Sequence, residues 1–434
     1  MRKIYLIVII SCFVWSCQND EFGELVTADF FINENQPTSI VLNIGGGFGT
    51  EVSIELRNTT TGFIEKAVVI QCEKDDYKYL LTNLKSGEEY AYKVFTEENL
   101  INEGLVKLPD MPQEYSEFIN VTIEGQCDLG SNFLLLNKMS EPSGVFLFNS
   151  EGKVVWSRLS DNFVKMVKLT ERGTLLTLED DLGDKFGNGN IILETTFTGD
   201  TLARLEYGKN DFDRMAHHDV VLTKNNTYAF ITNVHVDNVV VDGITELNAF
   251  GTKVWEWDMA SHILPVPQGE TFSQPWGNSI VEDSDGNFLV SFRSLSQAWT
   301  IDSKLGNVKM KFGNGNDYGL NESDLFVNQH NVQWIDNDLL LFDNGNINNR
   351  PYSRILRYAL DLENNNASVL NNIKLPDELF SPYMSAVEVC DNGYIVTSSI
   401  AKKIAKIDYS GSVVWTMTFG DRMFRSQLVD KNLR

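Results

Sequence analysis

Five histidines occur in the 434 residues, and three of them, His217, His218 and His330, stand on or beside one position of a recurring frame. His330 heads the stretch Asn328-Gln329-His330-Asn331-Val332-Gln333-Trp334, which runs on through Leu339-Leu340-Leu341-Phe342-Asp343-Asn344-Gly345. The stretch reads as two short strands around the turn Asp336-Asn337-Asp338. An imidazole at a strand start, between the amides of Gln329 and Asn331 that could fix its tautomer, suits surface chemistry better than core packing. The alternative is a histidine that caps the strand. The position matching His330 carries Lys165, His218, Asn278 and Ser385 in other copies of the frame.

Those copies define the elements that must position the side chains. One half of the repeat is a strand, a Gly-containing turn and a strand, as in 148–156, 247–255, 301–308 and 407–415, with a weaker copy around Gly199. The other half sets Lys165-Met166-Val167 beside His218-Asp219-Val220, Asn278-Ser279-Ile280, His330-Asn331-Val332 and Ser385-Ala386-Val387, each followed by a polar turn and an apolar strand. The period of roughly 50 residues is the span of one four-stranded propeller blade. About six units fit between 116 and 434, which predicts an all-β chain with a six-bladed β-propeller. The innermost strands of a propeller line its axis, so Lys165, His218, Asn278, His330 and Ser385 should ring one channel mouth and form a binding site.

Residues 23–109 carry short alternating strands, and Leu84 through Tyr90 resembles the tyrosine corner of fibronectin type III or Ig-like β-sandwiches. Pro109 to Pro112 reads as a linker. Ahead of this, Arg2-Lys3, the apolar run Ile4 to Trp15 and Ser16-Cys17 have the layout of a lipoprotein signal spanning 1–17, with Cys17 as the lipidation site. The following Gln18-Asn19-Asp20-Glu21 looks like an acidic tag for surface export in Bacteroidetes, so an exported lipoprotein at the outer membrane or cell surface is expected, with the periplasm as the alternative. The lipid anchor is then the chain's contact with a membrane.

A formal charge of -24 argues against nucleic acid as partner, because a polyanion would be repelled. An anionic substrate would instead need a local positive cluster. Cys72, Cys127 and Cys390 are spaced too widely for a metal pattern and read as free thiols, although a Cys72 to Cys127 bridge is open. The Asp283-Ser284-Asp285-Gly286 turn lacks the later glutamate of an EF-hand loop and reads as a solvated turn.

The motifs His217-His218-Asp219, Asn278-Ser279-Ile280 with Ser291-Phe292-Arg293, Gln329-His330 with Phe342-Asp343-Asn344-Gly345, and Tyr352-Ser353-Arg354-Ile355 together resemble those of the bacterial arylsulfate sulfotransferases. The resemblance implies transfer of a sulfuryl group from an aryl sulfate ester to a phenol, with no nucleotide donor and no cofactor. It assigns the nucleophile to His330, through a sulfohistidine intermediate, and acid-base work to His218 or His217. Arg293 would grip the sulfuryl oxygens and Asn278 would donate to them. Asp343-Asn344-Gly345 is expected to serve only as a turn. Trp276 departs from the pattern, standing where the family commonly has another histidine. It could stack on the aryl ring, and Lys165 could restore the missing charge. A propeller that binds sulfated or aromatic ligands without turnover is the alternative function.

Overall fold

The structure is a computed structural model that describes residues 26–432, apart from 98, 185–186, 237–238 and 263–274. The expected signal segment and Cys17 lie outside the described residues. The chain is all-β, and its described helices are single turns.

Residues 26–108 form two antiparallel sheets over one core. Thr27–Phe31, Ile40–Gly45 and Tyr77–Leu81 make the first, and Ile64–Gln71, Glu51–Asn58, Glu89–Thr96 and Asn99–Lys107 the second. Alternation in the sequence dictates this: Val52, Ile54 and Leu56 on one face of a strand are buried, and they meet Ile40, Leu42 and Ile44 of the other sheet. The Tyr90 hydroxyl accepts the Lys85 N–H at 2.9 Å, closing the corner that the sequence suggested.

Six further antiparallel sheets follow, four of four strands and two of five, the fifth strands being the short Asn188–Gly189 beside Ala216–Leu222 and Thr122–Gly125 beside Val413–Thr418. Their inner strands are Phe163–Leu169 (sheet II), Ala216–Leu222 (III), Gly277–Glu282 (IV), His330–Ile335 (V), Ala386–Cys390 (VI) and, for sheet I, the C-terminal strand Ser426–Asp430. Sheet I takes its other strands from Asn132–Lys138, Ser143–Phe148 and Val154–Ser160, whereas Thr122–Gly125 joins the outer edge of sheet VI. Both ends of this region are therefore clasped into sheets begun elsewhere in the chain.

Each inner strand neighbours the next around a complete cycle of six. A side chain crosses every junction. Lys168 Nζ donates to Val220 O (3.2 Å), Asp219 accepts the Ile280 N–H (2.9 Å) and Ser279 Oγ the Val332 N–H (3.0 Å). Asn331 Oδ1 accepts from Val387 (3.0 Å), Glu388 from Leu428 (2.8 Å) and Gln427 from Leu169 (2.9 Å). Strand ends that would otherwise leave buried N–H groups orphaned are satisfied this way. The two-sheet unit docks on the outside of sheet I, where Asn83 N–H donates to Val155 O and Leu159 N–H to Asn35 O.

Candidate active site

The inner strands are interrupted near their starts. Pairing shifts register between Val164 and Met166, Ala216 and Val220, Gly277 and Ser279, and His330 and Gln333. Such bulges re-aim side chains out of the sheet's alternation. Several residues there hold left-handed backbone, among them His218 (φ 59), Trp276 (φ 54), Asn331 (φ 53) and Met384 (φ 60). Strain of about 1–3 kcal/mol at each such position persists only where the surroundings over-determine it.

His330 is buried, with Nδ1 2.8 Å from Asn344 Oδ1. The Asn344 amide nitrogen donates to Ser381 O (2.7 Å) and Met384 O (2.9 Å), which fixes which end of the amide faces the ring. An amide oxygen can only accept, so His330 carries its proton on Nδ1 and presents the Nε2 lone pair. Among the described residues, that lone pair accepts from the Met384 N–H, at 3.2 Å. Burial first, then the Arg293 guanidinium, push the imidazole's pKa down to about 3. The flanking amides do other work than expected: Gln329 anchors to Ser291 Oγ and Gln297 O, and Asn331 stitches sheet VI.

His218 faces a different support. Its Nδ1 lies 2.8 Å from His217 Nδ1, and His217 Nε2 lies 3.4 Å from Asp242 Oδ1. The two atoms of that last pair have no other partner among the described residues, while Asp242 Oδ2 takes the Gly277 N–H at 2.5 Å. A carboxylate beside Nε2 favours the proton there, which leaves His217 Nδ1 to accept from His218 Nδ1–H and bares His218 Nε2. Burial, then His217, His330 and Arg293, hold the His218 pKa well below its ordinary value. Gly187 makes room: its carbonyl accepts the His218 N–H, and a Cβ there would overlap the ring.

Arg293 starts the turn Arg293–Leu295 after the second strand of sheet IV. Its Nη2 donates to Pro382 O (3.2 Å), its guanidinium carbon lies 5.9 Å from the Trp276 ring, and its buried Nε has no partner among the described residues. A buried donor without an acceptor is costly, and an anion would satisfy it. The Trp276 ring is 6.5 Å from that of His218, so it neighbours both the imidazole and the guanidinium. Asn278 spends one N–H on Gln329 O (2.7 Å), the peptide before His330.

Two ring positions turn elsewhere. Lys165 is buried in its own sheet, donating to Asp184 O, 3.9 Å from Asp180 and 4.4 Å from the Phe163 ring. Ser385 Oγ donates to Ser381 Oγ (2.8 Å) and accepts the Ser399 N–H. Sequence reasoning missed Asn344, Asp242 and Gly187, and it missed Arg425, whose charge acts on both His218 and His330. Asn344 does more than the turn expected of it. The Asp-Asn-Gly signature is real, with Gly345 at φ 77, yet the central amide holds the catalytic candidate.

Beneath the site, Lys168 and Arg425 also line a cavity of about 530 Å³ that opens on the far side, with Gln333, Glu388 and Gln427. The catalytic candidates are not among its lining residues.

The profile of the arylsulfotransferase (ASST) family matches residues 119–419. The chain belongs to the arylsulfotransferase family. Membership points to aryl sulfate sulfotransferase activity and covers all the inner strands except the clasping C-terminal one. No curated protein matches the chain. Among solved structures, a Bacteroides caccae protein of unknown function is similar over 69% of this chain and 99% of its own, at 16% identity and a TM-score of 0.44. A streptogramin B lyase is similar over 72% and 99%, at 13% identity and 0.41. A putative 6-phosphogluconolactonase from Bacteroides uniformis is similar over 88% and 100%, at 11% and 0.37. Likenesses of this degree carry no argument about function.

Proposed function

We propose that this arylsulfotransferase is a six-bladed β-propeller behind a fibronectin-like sandwich, and that it moves a sulfuryl group between phenols through a sulfohistidine on His330. The observation that carries the reading is the His330 tautomer: Asn344 holds Nδ1–H, so the nucleophilic lone pair sits on Nε2 beside Arg293. In the first half-reaction the Nε2–S bond forms as the bond from sulfur to the aryl oxygen breaks. The departing phenolate takes a proton from His218. The bound ester's negative charge offsets Arg293 and raises the proton affinity of His218, which is neutral in the free protein, so the ring takes up a solvent proton on Nε2 as the donor binds and has it to give. In the second half the acceptor phenol returns a proton to His218 while its oxygen attacks sulfur and the N–S bond breaks. Protons and charge balance over the cycle, and no nucleotide enters.

Arg293 would pair with two sulfuryl oxygens through its planar fork, and Trp276 would lie along the aryl ring. Incubation with a chromogenic phenyl sulfate and a phenol tests the reading. Acceptor-dependent release of the chromophore is expected, and no release by the native chain would refute it. The Trp276 ring beside Arg293 favours one second reading, in which the site binds aryl sulfates without turning them over. Binding without release by the native chain, with release gained in Trp276→His, would establish that reading instead.

A further inference from the structure

We propose that Lys168, Asp219 and Arg425 form a positively charged floor beneath the two imidazoles, with Arg425 as the positioning residue that leaves the cluster one positive charge in surplus and so draws the donor's anionic sulfuryl group down to His330. The proposal rests on the sulfotransfer reading for the identity of the anion. It concerns residues outside the histidine, arginine and tryptophan set at the channel mouth.

Three sheets supply the floor. Lys168 comes from the inner strand of sheet II, Asp219 from that of sheet III, and Arg425 immediately precedes that of sheet I. Asp219 has no exposed surface and directly follows His218. Its carboxylate accepts from Lys168 Nζ (2.8 and 2.9 Å), Arg425 Nη1 (3.2 Å) and the N–H groups of Val220 (3.0 Å) and Ile280 (2.9 Å). One carboxylate thus faces two cations, and one positive charge remains over at the centre of the cycle of inner strands. Within a chain of net charge -24 this is the local positive region that an anionic substrate requires.

The surplus reaches the reacting groups. The Arg425 charge opposes protonation of both His218 and His330, so an anion placed between those rings lies within the same field. Arg425 is itself almost wholly buried, where a surplus charge is weakly screened and strongly attractive to a counter-ion.

The floor also carries its own titration. Burial first, and then Arg425 working against Asp219, bring the Lys168 pKa down to about 8. The groups facing its ammonium are Asp219, Arg425 and the carbonyls of Val220 and Ile280, and Glu388 lines the same cavity from sheet VI. As pH rises through about 8, Lys168 loses its proton and the surplus charge vanishes.

Inorganic sulfate is the probe, titrated calorimetrically into the full chain at constant ionic strength with chloride as control. The native chain should bind sulfate about tenfold more tightly at neutral pH than Arg425→Gln, with Arg425→Lys close to native. Native affinity should fall as pH passes about 8, whereas in Arg425→Gln, where no guanidinium lowers the Lys168 pKa, the fall should move to higher pH. The kcat/KM for an aryl sulfate should follow the same two profiles. Equal sulfate affinity in the native chain and Arg425→Gln, or an unchanged pH profile in that variant, overturns the proposal. A merely structural Arg425 would lower the melting temperature of both variants and leave the shape of the profile intact. If the native chain turns over no aryl sulfate, the sulfotransfer reading fails, while the sulfate titrations still decide whether the floor attracts an anion.

Discussion

His218 and His330 sit in sheets III and V, both buried and both held neutral, yet their Nδ1 atoms rest on opposite kinds of partner. His330 leans on an amide that is itself locked by two carbonyls, so its support accepts a hydrogen bond and cannot take a proton. His218 leans on a second imidazole backed by a carboxylate, a chain of groups that can all exchange protons. The difference separates two jobs that one residue type can do. A rigid amide keeps a lone pair aimed and unprotonated, as a nucleophile needs, whereas a His-Asp backing lets charge build on the ring, as an acid and base needs.

The largest effect should come from deleting the two rings in turn. His330→Ala should abolish transfer, by roughly 10⁴-fold or more in kcat with every donor. His218→Ala should cost roughly 10²- to 10⁴-fold with a poor phenolate leaving group and far less with an acidic nitrophenol, which leaves without a proton. Steady-state rates across a series of phenyl sulfates check this. Equal losses for both variants across the series would erase the distinction between the rings.

Next come the supports. Asn344→Ala frees the His330 ring and should lower kcat by roughly 10²-fold, an effect of positioning, while sulfate still binds. Asp242→Asn should instead distort the pH profile, since the proton on His217 Nε2 is no longer favoured by a charge. A pH-rate comparison of the two variants separates an aiming defect from a proton-transfer defect.

The pH dependence of the native chain follows from the His330 pKa. A nucleophile depressed from its ordinary 6.5 to about 3 stays unprotonated as pH falls through 6.5. The kcat/KM, which reports the free protein, should therefore show no loss from His330 protonation until pH nears about 3. An acid limb near 6.5 that disappears on a change of the Asn344 support would contradict the aiming role given to that amide.

How much of this was legible in the sequence differs between the two rings' surroundings. The repeat was readable because its turns use Gly152, Gly251, Gly306 and Gly411 in left-handed backbone, a signature that alternating strands frame clearly. It aligned His218, Asn278 and His330, while Arg293 came from the family resemblance, and Ser385 turns instead to Ser381 and Ser399. It failed for Lys165, which aligns with the others but is captured by Asp180 and Asp184 at the bulge of its own sheet. A one-residue bulge has no compositional mark. Asn344 was hidden inside a genuine turn motif, and Arg425 lies before a strand that clasps back onto sheet I, outside the repeat's frame.

The smallest expected effect on rate belongs to Glu388, on the cavity side of the channel. Burial raises its pKa from 4.5 to about 7. The folded state then holds a proton that the unfolded chain has lost, so stability should fall as pH rises from 4.5 to about 7, by about 3 kcal/mol in all. Denaturant titrations of Glu388→Gln should remove that slope, and the pH-rate profile should stay as in the native chain. A changed profile would mean that the far side of the channel talks to the histidines after all.

The central claim is that His330 carries the sulfuryl group. Mass spectrometry of the full chain quenched after exposure to an aryl sulfate, without acceptor, tests it most directly. A mass gain of one sulfuryl group located at His330, absent in His330→Ala and discharged by added phenol, is the expected result. Turnover with the adduct on another residue, or with none at all, would contradict the account.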